Sequence, residues 1–172
     1  REIFFGDPEI SGGQISPDGK WLTFIKPYKD VRNIWIKRVN EDFEKAKPIT
    51  ADTTRPIPGY FWSRDSKYIL YVQDKGGNEN YHVYAVDPFS KVMGSNGVPP
   101  ARNITDYEGV RAFIMHRPES DPDLLYVGMN DRDPSWHDLY KVRISTGKRE
   151  LVYKNEDRIS GFDFDHKDRI RL

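Results

Sequence analysis

The sequence predicts an all-β fold, a partial β-propeller of about three and a half four-stranded antiparallel blades. Three observations carry that expectation. Aromatic residues make up 13% of the chain although apolar residues total only 37%, a mixture that suits half-buried sheets better than Leu- and Ala-rich helices. An apolar residue, a short polar turn and a β-rich run are written at ISPDGKWLTFI (15–25) and again at FWSRDSKYILYV (61–72). No stretch carries the apolar spacing of a long amphipathic helix.

The repeat extends further. Steps of 47, 53 and 49 residues separate Ile15, Trp62, Met115 and Phe164, each of which precedes a polar turn, and a period of this size marks propellers and related repeat folds. In the first copy Pro17 presets φ for the second place of a turn, Asp18 caps its own backbone and Gly19 accepts a positive φ. Arg64, Asp65 and Ser66 take these places in the second copy, where Asp65 keeps the polar cap. The third copy has a longer turn, 116–123, before Leu124 to Val127, and the fourth has Asp165 to Arg169. SPDGK therefore reads as a hairpin joining a unit's first and second strands, not as an active site.

Each β-rich run is followed by a polar loop and a second alternating strand, NIWIKRV (33–39), YHVYAV (81–86) and HDLYKVRI (137–144). A shorter segment closes each unit, at KPIT (47–50), ARNIT (101–105) and KRELVY (148–153). Pro residues in TTRPIPG (53–59) and GVPPARN (97–103) discourage helix at the joins, and PFSKVMGSNGVPP (88–100) reads as an extended loop between the second unit's third and fourth strands. The predicted blades are about 9–53, 57–105 and 109–154, with the first two strands of a fourth beginning at about 157. Such a sheet cannot hide both faces alone, and radial stacking solves the problem. A ring takes about 4 to 8 blades, so the expectation is a fragment of a longer chain whose open blade edges invite self-association.

The 27 basic residues cancel the 27 acidic ones without long runs of either sign, which leaves no electrostatic footprint for nucleic acid or an anionic membrane. With no cysteine, disulfide and thiol chemistry are excluded, while a cytoplasmic and a periplasmic address both stay open. No apolar run approaches the ~18 residues needed to span a bilayer, and no signal-type apolar region precedes Ile3. The chain opens on Arg1 rather than Met, which predicts that something upstream has been removed.

Among chemistry-bearing motifs, G-x-S-x-G is absent, and that strained elbow is what exposes the nucleophile of an α/β-hydrolase. No catalytic residue is assigned. His82, His116, His137 and His166 lack the spacing that puts two ligands on one face, so neither a metal nor a cofactor is expected. Two segments are less ordinary. QDKGGNENYHVYAVD (73–87) crowds Asp74, Lys75, Asn78, Glu79 and Asn80 around a Gly pair, and its third-unit counterpart NDRDPSWHDLYKV (130–142) contains Arg132 and Trp136. Two readings stand: side chains that cap loop backbone, or a polar rim from which Glu79 and Arg132 meet a peptide or a neighbouring domain.

At these segments the chain resembles the N-terminal propeller of prolyl oligopeptidase family serine peptidases, in the bacterial dipeptidyl aminopeptidase and acylaminoacyl-peptidase-like branch. The resemblance is carried by FFGDPE (4–9), QISPDGKWLTFI (14–25), NIWIKRV (33–39), ITADTTRPIPGYFWSRDSKYILYVQDKGGNENYHVYAVD (49–87) and VGMNDRDPSWHDLYKV (127–142). It implies a propeller over an α/β-hydrolase domain with a Ser-Asp-His triad, and a propeller that restricts access to short peptides and helps select them. The triad would lie outside this chain, so the partners it implies are that hydrolase domain and a peptide substrate. The glutamate pair with which some relatives hold a substrate's free amine is not found here. SPDGK alone is shared with TolB-like propellers, so a non-catalytic, protein-binding propeller is the alternative.

Overall fold

The computed structural model describes residues 8–171. Most of the FFGDPE segment lies outside the described residues. Three four-stranded antiparallel meanders follow one another in sequence order. The first contains β1 (Ser11–Ile15), β2 (Trp21–Tyr28), β3 (Val31–Arg38) and β4 (Lys47–Pro48). The second contains β5 (Tyr60–Trp62), β6 (Ile69–Gln73), β7 (His82–Val86) and β8 (Ala101–Asn103). The third contains β9 (Ala112–His116), β10 (Leu124–Asp133), β11 (Trp136–Arg143) and β12 (Arg149–Tyr153), and a two-stranded hairpin of β13 (Asp163–Phe164) and β14 (Ile170–Arg171) comes last.

Three of the four copies of the repeated motif fold alike, the longer turn at 116–123 being the exception. Ser16 N–H donates to Trp21 O at 2.8 Å and Ser63 N–H donates to Tyr68 O at 2.8 Å, closing matching turns. The serine hydroxyls then donate to Asp18 Oδ1 at 2.6 Å and to Asp65 Oδ1 at 2.7 Å. In the last hairpin Asp165 replaces the serine and its carboxylate accepts from Arg169 N at 3.0 Å. The fourth place of the turn is left-handed in all three copies, with φ of 73° at Gly19, 62° at Ser66 and 57° at Asp168. Glycine adopts that conformation without strain, whereas Ser and Asp are held there by the turn.

The apolar core lies between sheets. Ile25, Ile34 and Ile36 of the first sheet pack on Tyr60, Trp62, Ile69 and Tyr71 of the second. Leu70, Val83 and Ala85, on the second sheet's other face, pack on Ala112, Leu125, Val127 and Val142 of the third. Ile69 and Tyr71 thus face one neighbour while Leu70 faces the other, the period-2 alternation of a strand buried on both sides. Tyr126 and Leu139 turn from the third sheet toward Phe162, Phe164 and Ile170.

One segment differs from expectation. Most of NDRDPSW is strand: β10 runs to Asp133, which pairs with Trp136 across a turn of only Pro134 and Ser135. A register shift between Met129 and Asp133 lets the hairpin continue past the hydrophobic pattern, because a bulge re-aims side chains without ending the pairing.

Candidate functional site

In an antiparallel meander the turn between second and third strands falls at the same end as the exit from the fourth. Each sheet therefore brings its β2–β3, β6–β7 or β10–β11 turn beside the connector to the next sheet, and these make one polar rim. Near the start of every third strand a buried side chain ties that connector down. Asn33 accepts from Asp52 N at 2.9 Å and donates to Asp52 O at 2.9 Å. His82 Nδ1 lies 2.7 Å from Thr105 O; a carbonyl can only accept, so Nδ1 carries the proton. Asp138 Oδ1 accepts from Asn155 N at 2.8 Å.

Two forked ion pairs stiffen the same rim. Arg55 donates from Nε at 3.1 Å and from Nη2 at 2.7 Å to Asp74 Oδ1, and Glu79 N–H donates to Asp74 Oδ2 at 3.1 Å. Burial alone would raise the Asp74 carboxyl, but the Arg55 guanidinium and the Glu79 N–H hold it below the usual carboxylate range. Arg132 donates from Nε to Asp138 Oδ2 at 2.8 Å, from Nη2 to Asp138 Oδ1 at 2.7 Å, and from Nη2 to Asn155 O at 2.9 Å. The Arg132 contact lowers the Asp138 pKa against the opposing effect of burial. Burial, reinforced by Arg111, lowers the His137 pKa.

The two candidates from sequence end in different circumstances. Glu79 is exposed, with a left-handed φ of 58°, and its carboxylate has no hydrogen-bond or ion-pair partner among the described residues. Arg132 is engaged by Asp138 and Asn155. They sit on neighbouring blades and share no partner. Asp74, Asp138, Arg55 and Asn155 organise the rim, and none was singled out as a binding group from sequence. One signal was available: Asn33, His82 and Asp138 occupy equivalent places in NIW, HVY and DLY.

Among the described residues of the rim no serine or threonine hydroxyl is hydrogen-bonded to a histidine ring. Among the described residues one Ser, His and Asp do meet: His116 Nε2 and Ser120 Oγ both reach Asp168, at 2.7 and 2.6 Å. The carboxylate sits between hydroxyl and imidazole, whereas a nucleophilic serine needs the imidazole at its hydroxyl. This cluster joins the third sheet to the last hairpin.

Four-stranded meanders with their cores between successive sheets define the class: these are β-propeller blades. No family model matches the sequence. The chain is 38% identical over 162 residues to dipeptidyl aminopeptidase BIII of Pseudoxanthomonas mexicana, covering 94% of this chain and 22% of that protein. Prolyl oligopeptidase B from Galerina marginata superposes with a TM-score of 0.60 at 16% identity, over 90% of this chain and 22% of its own. TolB from Acinetobacter baumannii superposes with a TM-score of 0.54 at 16% identity, over 94% of this chain and 36% of its own. The two superpositions concern the fold. By sequence the chain belongs to the propeller region of prolyl oligopeptidase family dipeptidyl aminopeptidases, and it spans about a fifth of the length of the curated relative it matches.

Proposed function

We propose that this chain is the N-terminal part of a propeller domain that gates a serine peptidase and helps select its oligopeptide substrates, with the nucleophile supplied by an α/β-hydrolase domain outside it. The observation that carries this reading is the 38% identity over 94% of the chain to a dipeptidyl aminopeptidase. The rim adds a means: Glu79 offers an unpaired carboxylate on a loop whose backbone is fixed by Asp74, and Arg132 offers the partly exposed side of a guanidinium anchored by Asp138. A free amine suits the first and a peptide carbonyl the second.

Charge reversal of Glu79 in the full-length protein tests the reading, with kcat/KM measured on peptides with free and with acetylated N-termini. Glu79→Lys is expected to lower kcat/KM for the free-amine peptide and leave the acetylated one unchanged. Arg132→Lys, which keeps a cation for Asp138 but loses the fork, is expected to lower kcat/KM for both. Unchanged kinetics in both variants removes these residues from substrate selection. The second reading, a non-catalytic propeller that binds another protein, is favoured by the TolB superposition. A parent gene without G-x-S-x-G decides for it. In either case the open blade edges suit self-association when nothing else covers them.

A further inference from the structure

Among the described residues, two buried side-chain nitrogen or oxygen atoms have no hydrogen-bond partner, Arg111 Nε and His137 Nε2. The fold brings both to one place. Phe113 of β9 lies opposite Gly128 of β10, and Gly128 lies opposite Leu139 of β11. Residues directly across a ladder share a face, as do residues two apart along a strand. Arg111, Phe113 and His137 therefore project on the side of the third sheet that Leu139 turns toward the last hairpin. Both groups lie against one ring: the Arg111 guanidinium carbon is 4.7 Å from the Phe113 centroid, and the His137 ring centroid is 5.0 Å from it. Gly128 makes room for this arrangement, because a Cβ there would stand 2.5 Å from Met115 Cε and 3.4 Å from His137 Cβ.

The backbone at Arg111 is fixed while its guanidinium is not. Arg111 N–H donates to Asn130 Oδ1 at 2.7 Å, and the Nδ2 of the same amide donates to Pro134 O at 3.2 Å. Neither an ion pair nor a side-chain hydrogen bond engages the guanidinium among the described residues. The rings of Phe113 and Tyr81 attract its charge, at 4.7 and 5.6 Å, but a ring face is a weak acceptor for an N–H. Asp138, next in sequence to His137, projects from the opposite face of the strand, where Arg132 and the Asn155 N–H occupy its oxygens. A buried polar atom without a partner is costly, and here two such atoms stand beside an unmatched positive charge.

We propose that Arg111 and His137 form a binding site for a small oxyanion, such as a carboxylate or sulfate, on the face of the third sheet that looks toward the last hairpin. One oxygen accepts from Arg111 Nε–H and another from His137 Nε2–H, which assigns the imidazole proton to Nε2 when the site is occupied. A metal cation is repelled by the guanidinium, and a neutral molecule satisfies the N–H but leaves the charge unmatched. Both side chains are half-buried, so a turn of the guanidinium opens the site to solvent. The site is separate from Glu79 and Arg132 and does not rest on the peptidase reading.

The test follows the His137 ring signal of histidine-labelled full-length protein through a pH titration, assigned with His137→Gln, with and without acetate or sulfate at constant ionic strength. In the empty site burial and the Arg111 charge outweigh Asp138 and hold the His137 pKa below its ordinary value. A bound anion reverses that balance, so acetate and sulfate are expected to raise it saturably. Calorimetry is expected to find an affinity about tenfold higher at pH 5.5 than at pH 8, the size of one charge-assisted hydrogen bond. Arg111→Gln is expected to abolish the response. Should that variant misfold, Arg111→Lys, which keeps the charge but loses the fork, is expected to bind about tenfold more weakly. Where the oxyanion is instead a carboxylate from another part of the full-length protein, the ring ignores added anions and titrates above its ordinary value of about 6.5. A His137 that titrates below that value and responds to neither anion overturns the proposal, as does a response that persists unchanged in the Arg111 variants.

Discussion

Asp138 and His137 are adjacent in sequence and titrate against folding in different pH ranges. Arg132 holds the Asp138 carboxyl below its usual value, and Asp74 is held low as well once Arg55 outweighs burial. A carboxylate with a depressed folded pKa contributes stability that is present above its unfolded value, about pH 4, and lost as pH falls through the folded one. The His137 pKa is lowered by burial, so the unfolded chain binds its proton first and stability begins to fall as pH drops through about 6.5. Urea midpoints between about pH 8 and pH 3 should therefore decline in two phases. His137→Gln is expected to lose the upper phase, and Asp138→Asn to be less stable at neutral pH with a shallower acid phase. Identical pH profiles in all three proteins would show that these groups carry no linkage. The crowd of polar residues in 73–87 and 130–142 was legible in sequence, but the roles within it were not. Arg55 finds Asp74 across a gap of 19 residues, and nothing local to either residue announces that pairing.

Elements were easier to read than residues, because turns obey local rules. Each SPDGK-like turn carries its own acceptor, its own left-handed position and its own closing hydrogen bond, so four places in sequence sufficed. The strand expected at 137–144 is β11, whereas 130–133 continue β10 although their polarity suggests a loop, because pairing across Pro134 and Ser135 needs only backbone. The turns also touch one another: Asp18 N–H donates to Ser66 Oγ at 3.0 Å, joining first and second blades. Ser66 holds φ at 62°, which costs an L-residue about 1–2 kcal/mol, and the bond to Asp18 returns about 0.5–1.5 kcal/mol. Ser66→Gly gives up the bond and the strain together, so its stability should stay within about 0.5 kcal/mol of wild type. Ser66→Ala keeps the strain and loses the bond, and should be destabilised by about 1 kcal/mol. Urea unfolding of both variants checks the order, and an alanine variant as stable as the glycine one would show that the contact between turns contributes nothing.

At the scale of the molecule, stability is a property of the interfaces between sheets, as in other repeat folds where each unit rests on its neighbours. Leu70 is fully buried in the core between the second and third sheets, so Leu70→Ala should cost about 2–5 kcal/mol by leaving a cavity there. The last hairpin is held by much less. Its strands are two residues each, and what fastens it is Asp168, which accepts from Ser120 Oγ at 2.6 Å, His116 Nε2 at 2.7 Å, Ser120 N at 3.1 Å and Glu119 N at 3.3 Å. Phe164 stacks on the His116 ring with centroids 4.3 Å apart. The Ser120 and His116 contacts hold the Asp168 carboxyl far below its ordinary range, as expected of a charge that collects donors from a neighbouring blade. Regions with few buried apolar contacts open at low free energy while the core stays closed. Amide hydrogen exchange should therefore find 163–171 opening well before β6, β7 and β10. Asp168→Asn should speed exchange in that hairpin and at 117–120 while leaving the first two blades unchanged. Exchange in the hairpin as slow as in β6, or unaltered by the substitution, would mean that packing around Phe162 and Phe164 holds it without the carboxylate. The spread of the effect then separates two pictures of the molecule: a change confined to the hairpin and the 117–120 turn marks a chain of separately stable blades, and one that reaches β2 and β3 marks a single cooperative unit.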